Sequence, residues 1–589
     1  MKNSKLITLL VIITSVNILL WSTSLKKENN SYDLEFESYL SKTWEDGLEG
    51  SPVYASIIGD KRFNQSIISN DLDSINNRKK KSKSDYEKFK SFNINKLSEE
   101  NRLNYSILDR DFSMTIESYQ FPYHFMDLNQ RGGVQSYHQT ASRLVFSSMQ
   151  DYEDWLVRLT KYSNNIRNAQ INYQEGLSLG YTQPRHISAY VLEQIDALIK
   201  VDTVDNPYLL VFKNASLDVI SSSEKEDLIK RAITLIEDEI NPAYEDLANF
   251  MRNTYIPNSR DSIGIKDVPY GKEWYEYLAR YHTTTDLTPE EIHSIGLKEV
   301  ERIRSEMEEI IRGLNWDGDF QSFLEYLRTD PKFYYDNPED LFNAYLIMSK
   351  KIDPLMTKVF KEFQKAPYGV TQIPMEQAPY TTTAYYNSPG EGRPGYYYVN
   401  LYKPESRPKY EIPVLSVHEA VPGHHYQISL AQEMEGVPEF RKHQHFTAFV
   451  EGWALYSEEL GEHMGLYDDP YDKFGQLTYD MWRAIRLVVD TGMHYMDWSR
   501  DDAIKLFTEN TAKSTLDIEN EVDRYIAWPG QALAYKIGQM KILDLRNLAE
   551  EELGDNYDIK EFHYEVLKRG SIPLSTLEEN IVEWIEDTK

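Results

Sequence analysis

The stretch "LSVHEAVPGHHYQISL", Leu415–Leu430, decides how the chain is read. It begins as H-E-x-x-H does, a spacing that sets two histidines one helical turn apart around a metal, with the glutamate between them as base. Pro422 stands where the second histidine belongs. On an unbroken helix each residue turns about 100°, so His424 would lie ~120° away from His418. His425 would share its face but sit about 10 Å further along, too far for metal bonds near ~2 Å. A regular helix therefore fails for both. Pro422 lacks a backbone donor and Gly423 relaxes the chain, so a bulge or loosened turn is expected there. A two-residue bulge carries His424 into the place of position i+4, with Glu419 turned toward the same centre.

A second element supports a metal. In "FTAFVEGWALYSEELG", Phe446–Gly461, the residues Phe449, Val450, Trp453, Ala454, Leu455 and Leu460 form a broad apolar surface. Glu451 lies among them, and a buried carboxylate requires a cation: a metal, or an Arg or Lys partner. Seven of the 13 histidines fall in one region, His418, His424, His425, His443, His445, His463 and His494. Any one alone reads as an ordinary core or surface residue. Their order along the chain carries the argument: strand, His-Glu helix, then a helix with an inward glutamate.

The strand signal lies immediately upstream. Between Thr371 and Pro413 the segments "YTTTAYY" and "GYYYVNLY", joined by "NSPGEGRPG", predict two short strands. Most of the remaining chain has helical spacing. Trp155, Leu156, Leu159, Tyr162 and Ile166 line one face of a helix over residues 151–180, stopped by Gly180 and Pro184. Thr288, Pro289 and Glu291 form a capping box that opens a helix running to Gly313. The basic run "RKKKSK", Arg78–Lys83, reads as a solvated loop. No internal repeat or long low-complexity linker divides the chain. The expected fold is mainly α, a large two-lobed helical body around a deep cleft with a small β-sheet beside the His-Glu helix. It forms one domain over residues 31–589, with an N-terminal helical part to about residue 370 and the site in about 371–589.

Composition sets the limits. A chain of 589 residues, 41% hydrophobic, can bury a large core. A net charge of -30 and a pI near 4.9 argue against a nucleic-acid partner. With no cysteine, disulfides, thiolate metal sites and cysteine catalysis are excluded, so any metal falls to His, Asp and Glu. At the N-terminus Lys2 and Lys5 precede an apolar run, Leu6–Trp21, with small residues at Ser22–Ser24. The run is short for a span of roughly 20 residues and suits a signal peptide, with an uncleaved anchor as the alternative. Export to the periplasm or cell envelope is expected, with a membrane tether only through residues 1–30.

Four motifs, "HEAVPGHHYQ", "EGWALY", "RLVVDTGMHYMDWSRDDAI" and "RYIAWPGQALAYKIG", together resemble a bacterial family of unknown function, number 885, whose pattern is H-E-x-x-P-G-H-x-x-Q. The likeness runs from about Ser38, through "SPVYASIIGDKRF", to near the C-terminus. That family is similar to the helical zinc peptidases of the glutamate-ligand class, such as thimet oligopeptidase, angiotensin-converting enzyme and carboxypeptidase Taq. The resemblance implies one zinc per chain, a short peptide substrate, and His424 rather than His425 as the second ligand. Zinc would be held by His418, His424 and Glu451, leaving a position for water whose proton Glu419 takes. By the angiotensin-converting-enzyme plan a histidine and a tyrosine close over the substrate carbonyl. His494, one turn after Asp490, and Tyr535 are chosen, with Tyr525 behind them. The strand Gly395–Tyr402, carrying Tyr397, Tyr398 and Asn400, is expected as an edge that pairs with the peptide. Arg483, Arg486, Arg524 and Lys536 are available for its C-terminal carboxylate. The leading expectation is an exported zinc metallopeptidase of the oligopeptidase or carboxypeptidase/dipeptidase type. The alternatives are a zinc hydrolase of a non-peptide amide, or a peptide-binding protein on the same fold without catalysis.

Overall fold

Three- and four-residue apolar spacing dominates the chain, and the architecture follows it: mainly α, with one small three-stranded sheet. The computed structural model describes residues 31–375, 378–380, 382–390 and 392–589. The expected signal segment, residues 1–30, lies outside the described residues.

The helix Met149–Leu179 is capped by Ser148, whose side chain accepts from the Asp151 amide, and ends at Gly180 with φ 82°. Its apolar stripe, Trp155 through Tyr173, packs into a core formed wholly by residues between Leu128 and Tyr255. The helix Pro289–Gly313 opens with the capping box of Thr288 and Glu291. It lies along Pro470–Tyr495, where Gly296 backs onto Leu487 and Val488. The largest core joins Phe36, Leu40 and Phe89 near one end of the chain to Leu577, Ile581 and Ile585 near the other.

Two local expectations are corrected. "RKKKSK" is not a loop: it lies inside the helix Leu72–Lys90, whose buried residues are Ile75 and Phe89. A helix polar over most of its surface gives little periodic signal and is held by ends and ion pairs such as Lys81–Asp85 at 2.7 Å. The sheet also has a further strand. β1, Tyr368–Gln372, runs parallel to β3, Gly395–Val399, while β2, Ala384–Asn387, pairs antiparallel with β3. The order β1-β3-β2 makes β3 the central strand and not an edge. Among the described residues the outer edge of β2 carries no ladder. β2 also sits against the His-Glu region, with the Tyr386 hydroxyl 2.8 Å from His425 Nδ1.

No helix among the described residues is long and apolar enough to cross a membrane.

Candidate metal centre

The interruption at Pro422 is larger than a bulge within one helix. The helix Ile412–Glu419 stops at Ala420 (φ -98°, ψ -110°), the Val421–Pro422 bond is cis, and a second helix starts at His424 and runs to Gln432. Two long backbone bonds close the gap, Gly423 N to Val417 O at 2.9 Å and His425 N to Ala420 O at 3.0 Å. Position 423 must be glycine, because a Cβ there would come 1.9 Å from the His418 carbonyl oxygen. The Trp453 indole donates to Pro422 O at 2.8 Å, tying the break to the helix that carries Glu451, Thr447–Met464.

This folding brings three side chains together. His418, His424 and Glu451 each offer a ligand atom, all within 4.8 Å of one another. Glu451 Oε2 lies 3.3 Å from His424 Nε2 and 3.9 Å from His418 Nε2. Ligands at ~2.0–2.2 Å around a tetrahedral ion stand about 3.3 Å apart, so the spacing suits one metal ion. His425 turns elsewhere, its Nε2 donating to Ala366 O at 3.1 Å. Glu451 Oε2 is buried without a hydrogen-bond partner. Without a metal, Glu451 draws His424 toward its charged form, and a bound cation would take the place of that proton between them.

A carboxylate that sequence reasoning missed completes the arrangement. Glu458, fully buried on the Glu451 helix, stands 2.7 Å from His418 Nδ1. When Glu458 is ionised it accepts the Nδ1 proton and the Nε2 lone pair faces the triad, the orienting device common around metal-bound histidines; burial opposes that ionisation and pushes the carboxyl up to about 8. Burial holds His418 well below its usual pKa, which keeps the imidazole neutral. Burial opposes ionised Glu451, but His424, His445 and the Tyr535 hydroxyl outweigh it and bring the group down to about 2. Glu419, only 8% exposed, is pushed up to about 7 by burial, with a contribution from Glu451 and opposition from His424 and Arg483. That value suits a general base at neutral pH.

The C-terminal residues divide. Helix Thr447–Met464 crosses Ala534–Leu553 at Gly452 and Gly538, so closely that a Cβ on Gly538 would come 1.9 Å from Ala448 O. This contact sets Tyr535 beside Glu451. His445, exposed and unassigned by the sequence, also lies within electrostatic reach of Glu451 and His424. His494 does not join them. It is fully buried, Nδ1 accepts from the Ile265 amide at 3.1 Å and Nε2 donates to Tyr525 O at 3.0 Å, so neither ring nitrogen is left for a substrate. Asp490 does not orient it: Asp490 Oδ1 accepts from the Tyr275 hydroxyl at 2.6 Å and the Gly530 amide at 2.9 Å. The Tyr525 hydroxyl is likewise engaged, donating to Glu521 at 2.9 Å and accepting from Arg486 Nε at 2.9 Å.

The expected substrate-binding residues also divide. Tyr397 points inward, fully buried against Tyr345. Asn400 is buried and organises a turn, donating to Ala378 O at 2.8 Å and Thr382 O at 3.1 Å. Tyr398 is half-buried on the opposite face and stacks on Tyr385 at 4.8 Å. With β3 central, its backbone is paired on both sides, and β1 and β2 form the edges of the sheet. Lys536 is fully buried between Asp480 at 2.6 Å and Glu299 at 2.9 Å. Arg486 and Arg524 both reach Glu521 at 3.1 Å, and Arg524 Nη2 lies 3.3 Å from the Tyr535 hydroxyl.

Residues 52–581 match the model of a family described as bacterial protein of unknown function (DUF885). No curated protein matches the chain. A solved structure described as that of a candidate lipoprotein from Colwellia psychrerythraea is similar over 94% of this chain and 100% of its own, at 25% identity with a TM-score of 0.90. A second, described as a candidate lipoprotein of unknown function from Shewanella oneidensis, is similar over 93% and 99%, at 17% identity with a TM-score of 0.73.

Proposed function

The chain belongs to the bacterial family DUF885, and for it we propose a zinc-dependent hydrolase that cleaves amide bonds in short peptides. The observation that carries this reading is the convergence of His418, His424 and Glu451 within 4.8 Å, with buried Glu419 as the neighbouring base. Two imidazoles and one carboxylate, with no thiolate, suit zinc and leave a position open. When bound, such an ion supplies Lewis acidity and lowers the pKa of an adjacent water toward about 7.

The chain's own groups supply the rest. Glu419 takes a proton from the attacking water and delivers it to the departing nitrogen. The balance is that of hydrolysis: oxygen joins the carbonyl carbon, the C–N bond breaks, and the amine leaves protonated. Tyr535 and His445 stand on the Glu451 side, where a donor would stabilise negative charge growing on the carbonyl oxygen. The open edge of β2 beside His424 and His425 suits an extended peptide backbone. A protein that only binds peptides has no use for a carboxyl held beside the triad with a pKa near neutrality.

Export belongs to the same reading. The apolar N-terminal run suits it, and both solved relatives are described as candidate lipoproteins. With no cysteine in this chain, a tether would be the N-terminal segment itself. Elemental analysis of the purified protein tests the metal: one equivalent of zinc per chain is expected, and a folded protein with no affinity for zinc overturns the reading.

A further inference from the structure

Beside the metal triad lies a group of cations whose charge is not balanced. Glu521 is met by Arg486 and Arg524, each at 3.1 Å, and the guanidinium of Arg486 stacks over the Tyr535 ring at 4.4 Å. A third cation, Arg131, arrives from the N-terminal part of the chain. Its neighbour Gln130 donates to Asp523 O at 3.1 Å, which fixes the loop against the helix of Arg524, Thr515–Ala527. Arg131 is exposed, yet it lies within electrostatic reach of Arg524, Glu521, Tyr535 and Arg486.

Two guanidiniums therefore contact one carboxylate, and a third lies within its electrostatic reach. Arg486 Nη1 and Arg524 Nε are buried without an acceptor. The next carboxyl, Asp490, is taken up by Tyr275 and the Gly530 amide. The buried network nearby is different in kind: Lys536 and Arg302 are matched by Asp480, Glu299 and Glu306, and need no further anion. In a chain of net charge -30, an excess of positive charge at one place, two of its three cations buried, is not a general surface property. It fits a planar anion that can accept paired N–H donors.

We propose that Arg131, Arg486 and Arg524 form the pocket for a substrate's terminal carboxylate, so that the enzyme acts on chains with a free C-terminus and cuts one or two residues from it. This rests on the amide-hydrolase reading above. The pocket lies next to the site through Tyr535, whose hydroxyl lies 3.3 Å from Arg524 Nη2 and which also acts electrostatically on Glu451. One tyrosine side chain links the pocket to the neighbourhood of a metal ligand, and an extended residue spans about 3.3–3.6 Å. One or two residues thus fit beyond the scissile bond, and a long downstream chain does not. Because Arg131 comes from one part of the chain and Arg486 and Arg524 from another, the carboxylate would be held between them.

The test compares peptides of one sequence bearing a C-terminal acid or a C-terminal amide, together with an N-acylated single amino acid. Wild-type and Arg131→Gln proteins are assayed for turnover. Binding of the same pair to the Glu419→Gln protein is followed by calorimetry. The acid should be cleaved ~10- to 100-fold more efficiently than the amide, as expected for losing a charge-assisted pair, releasing single residues or dipeptides from the C-terminus. Arg131→Gln should raise KM for the acid and narrow that ratio. Preferred cleavage of the N-acyl amino acid supports the pocket with an acyl-amino-acid substrate. Equal cleavage of acid and amide, or cuts far from the terminus, overturns the pocket and leaves the hydrolase standing. If nothing is cleaved but the acid still binds ~10-fold or more tightly than the amide, the hydrolase reading fails and the pocket stands. No cleavage and no binding preference overturns both.

Discussion

The carboxylate of Glu458 should control how tightly the site holds its metal. His418 Nδ1 stands 2.7 Å from Glu458 Oε1, and both residues are at most 3% exposed. Without this acceptor the imidazole has no fixed tautomer, and the wrong one turns an N–H toward the metal. Glu458→Gln is the informative change because it keeps the shape. Oε1 is shared by His418 and, at 3.5 Å, Arg483, while Oε2 has no partner, so the new amide nitrogen can take the Oε2 position without breaking a contact. Burial pushes the Glu458 carboxyl up to about 8, so what is lost is its capacity to become a charged acceptor when a cation occupies the triad. Hydrogen bonds to charged groups contribute about 1.5–3 kcal/mol against about 0.5–1.5 for neutral ones, a difference of about 1.2 kcal/mol between midpoints and hence somewhat under tenfold in affinity. Changes to such orienting partners typically cost ~10–100-fold. Zinc affinity measured by competition with a chromophoric chelator should fall about tenfold in Glu458→Gln, and further in Glu458→Ala, which leaves Nδ1 unsatisfied. Wild-type affinity in both variants would refute the orientation of His418 argued above.

Other expectations follow from the same geometry. Tyr535→Phe should lower kcat by ~100- to 1000-fold with zinc retained if its hydroxyl serves the carbonyl oxygen, whereas Tyr525→Phe, whose hydroxyl is bound to Glu521 and Arg486, should lower the melting temperature more than kcat. Stability should also depend on Asp490. Burial pushes its pKa up from the ordinary 3.8 to about 7, so the folded protein holds this proton where the unfolded chain has lost it. The contribution is intact below the unfolded value and is lost as pH rises toward 7. Asp490→Asn, which can keep both hydrogen bonds at Oδ1, should therefore match wild type near pH 3. It should gain an advantage through pH 4–7, up to about 4 kcal/mol. Denaturant titrations across that range measure it, and a pH-independent difference contradicts a buried neutral Asp490.

The site was legible in part because its chemistry is local in sequence. His418, Glu419 and His424 lie within seven residues, and Glu451 is marked by the apolar surface around it. Glu458 carries a sequence signal of its own: seven residues after Glu451 on one helix, it lies on nearly the same face. The errors came where geometry is set by distant partners. His494 resembled a catalytic histidine from spacing to Asp490, but its ring is held by Ile265 and Tyr525, 229 and 31 residues away. The sequence makes β3 look like an edge because β1 is a five-residue strand, "YGVTQ", with a glycine and little alternation. Arg131 gave no signal at all, since only the folded chain carries a loop from the first third of the sequence to Arg524. The same holds for the break at Pro422, where the sequence predicts a loosened turn but not two separate helices pinned by Trp453.

The measurement that bears most directly on the account is peptide turnover by residues 31–589, run beside the Glu419→Gln protein and a chelator-treated sample. Cleavage by the wild-type protein that is absent from both controls, with Glu419→Gln still carrying one zinc, is the predicted result. Cleavage retained in Glu419→Gln, or unaffected by removal of metal, contradicts it.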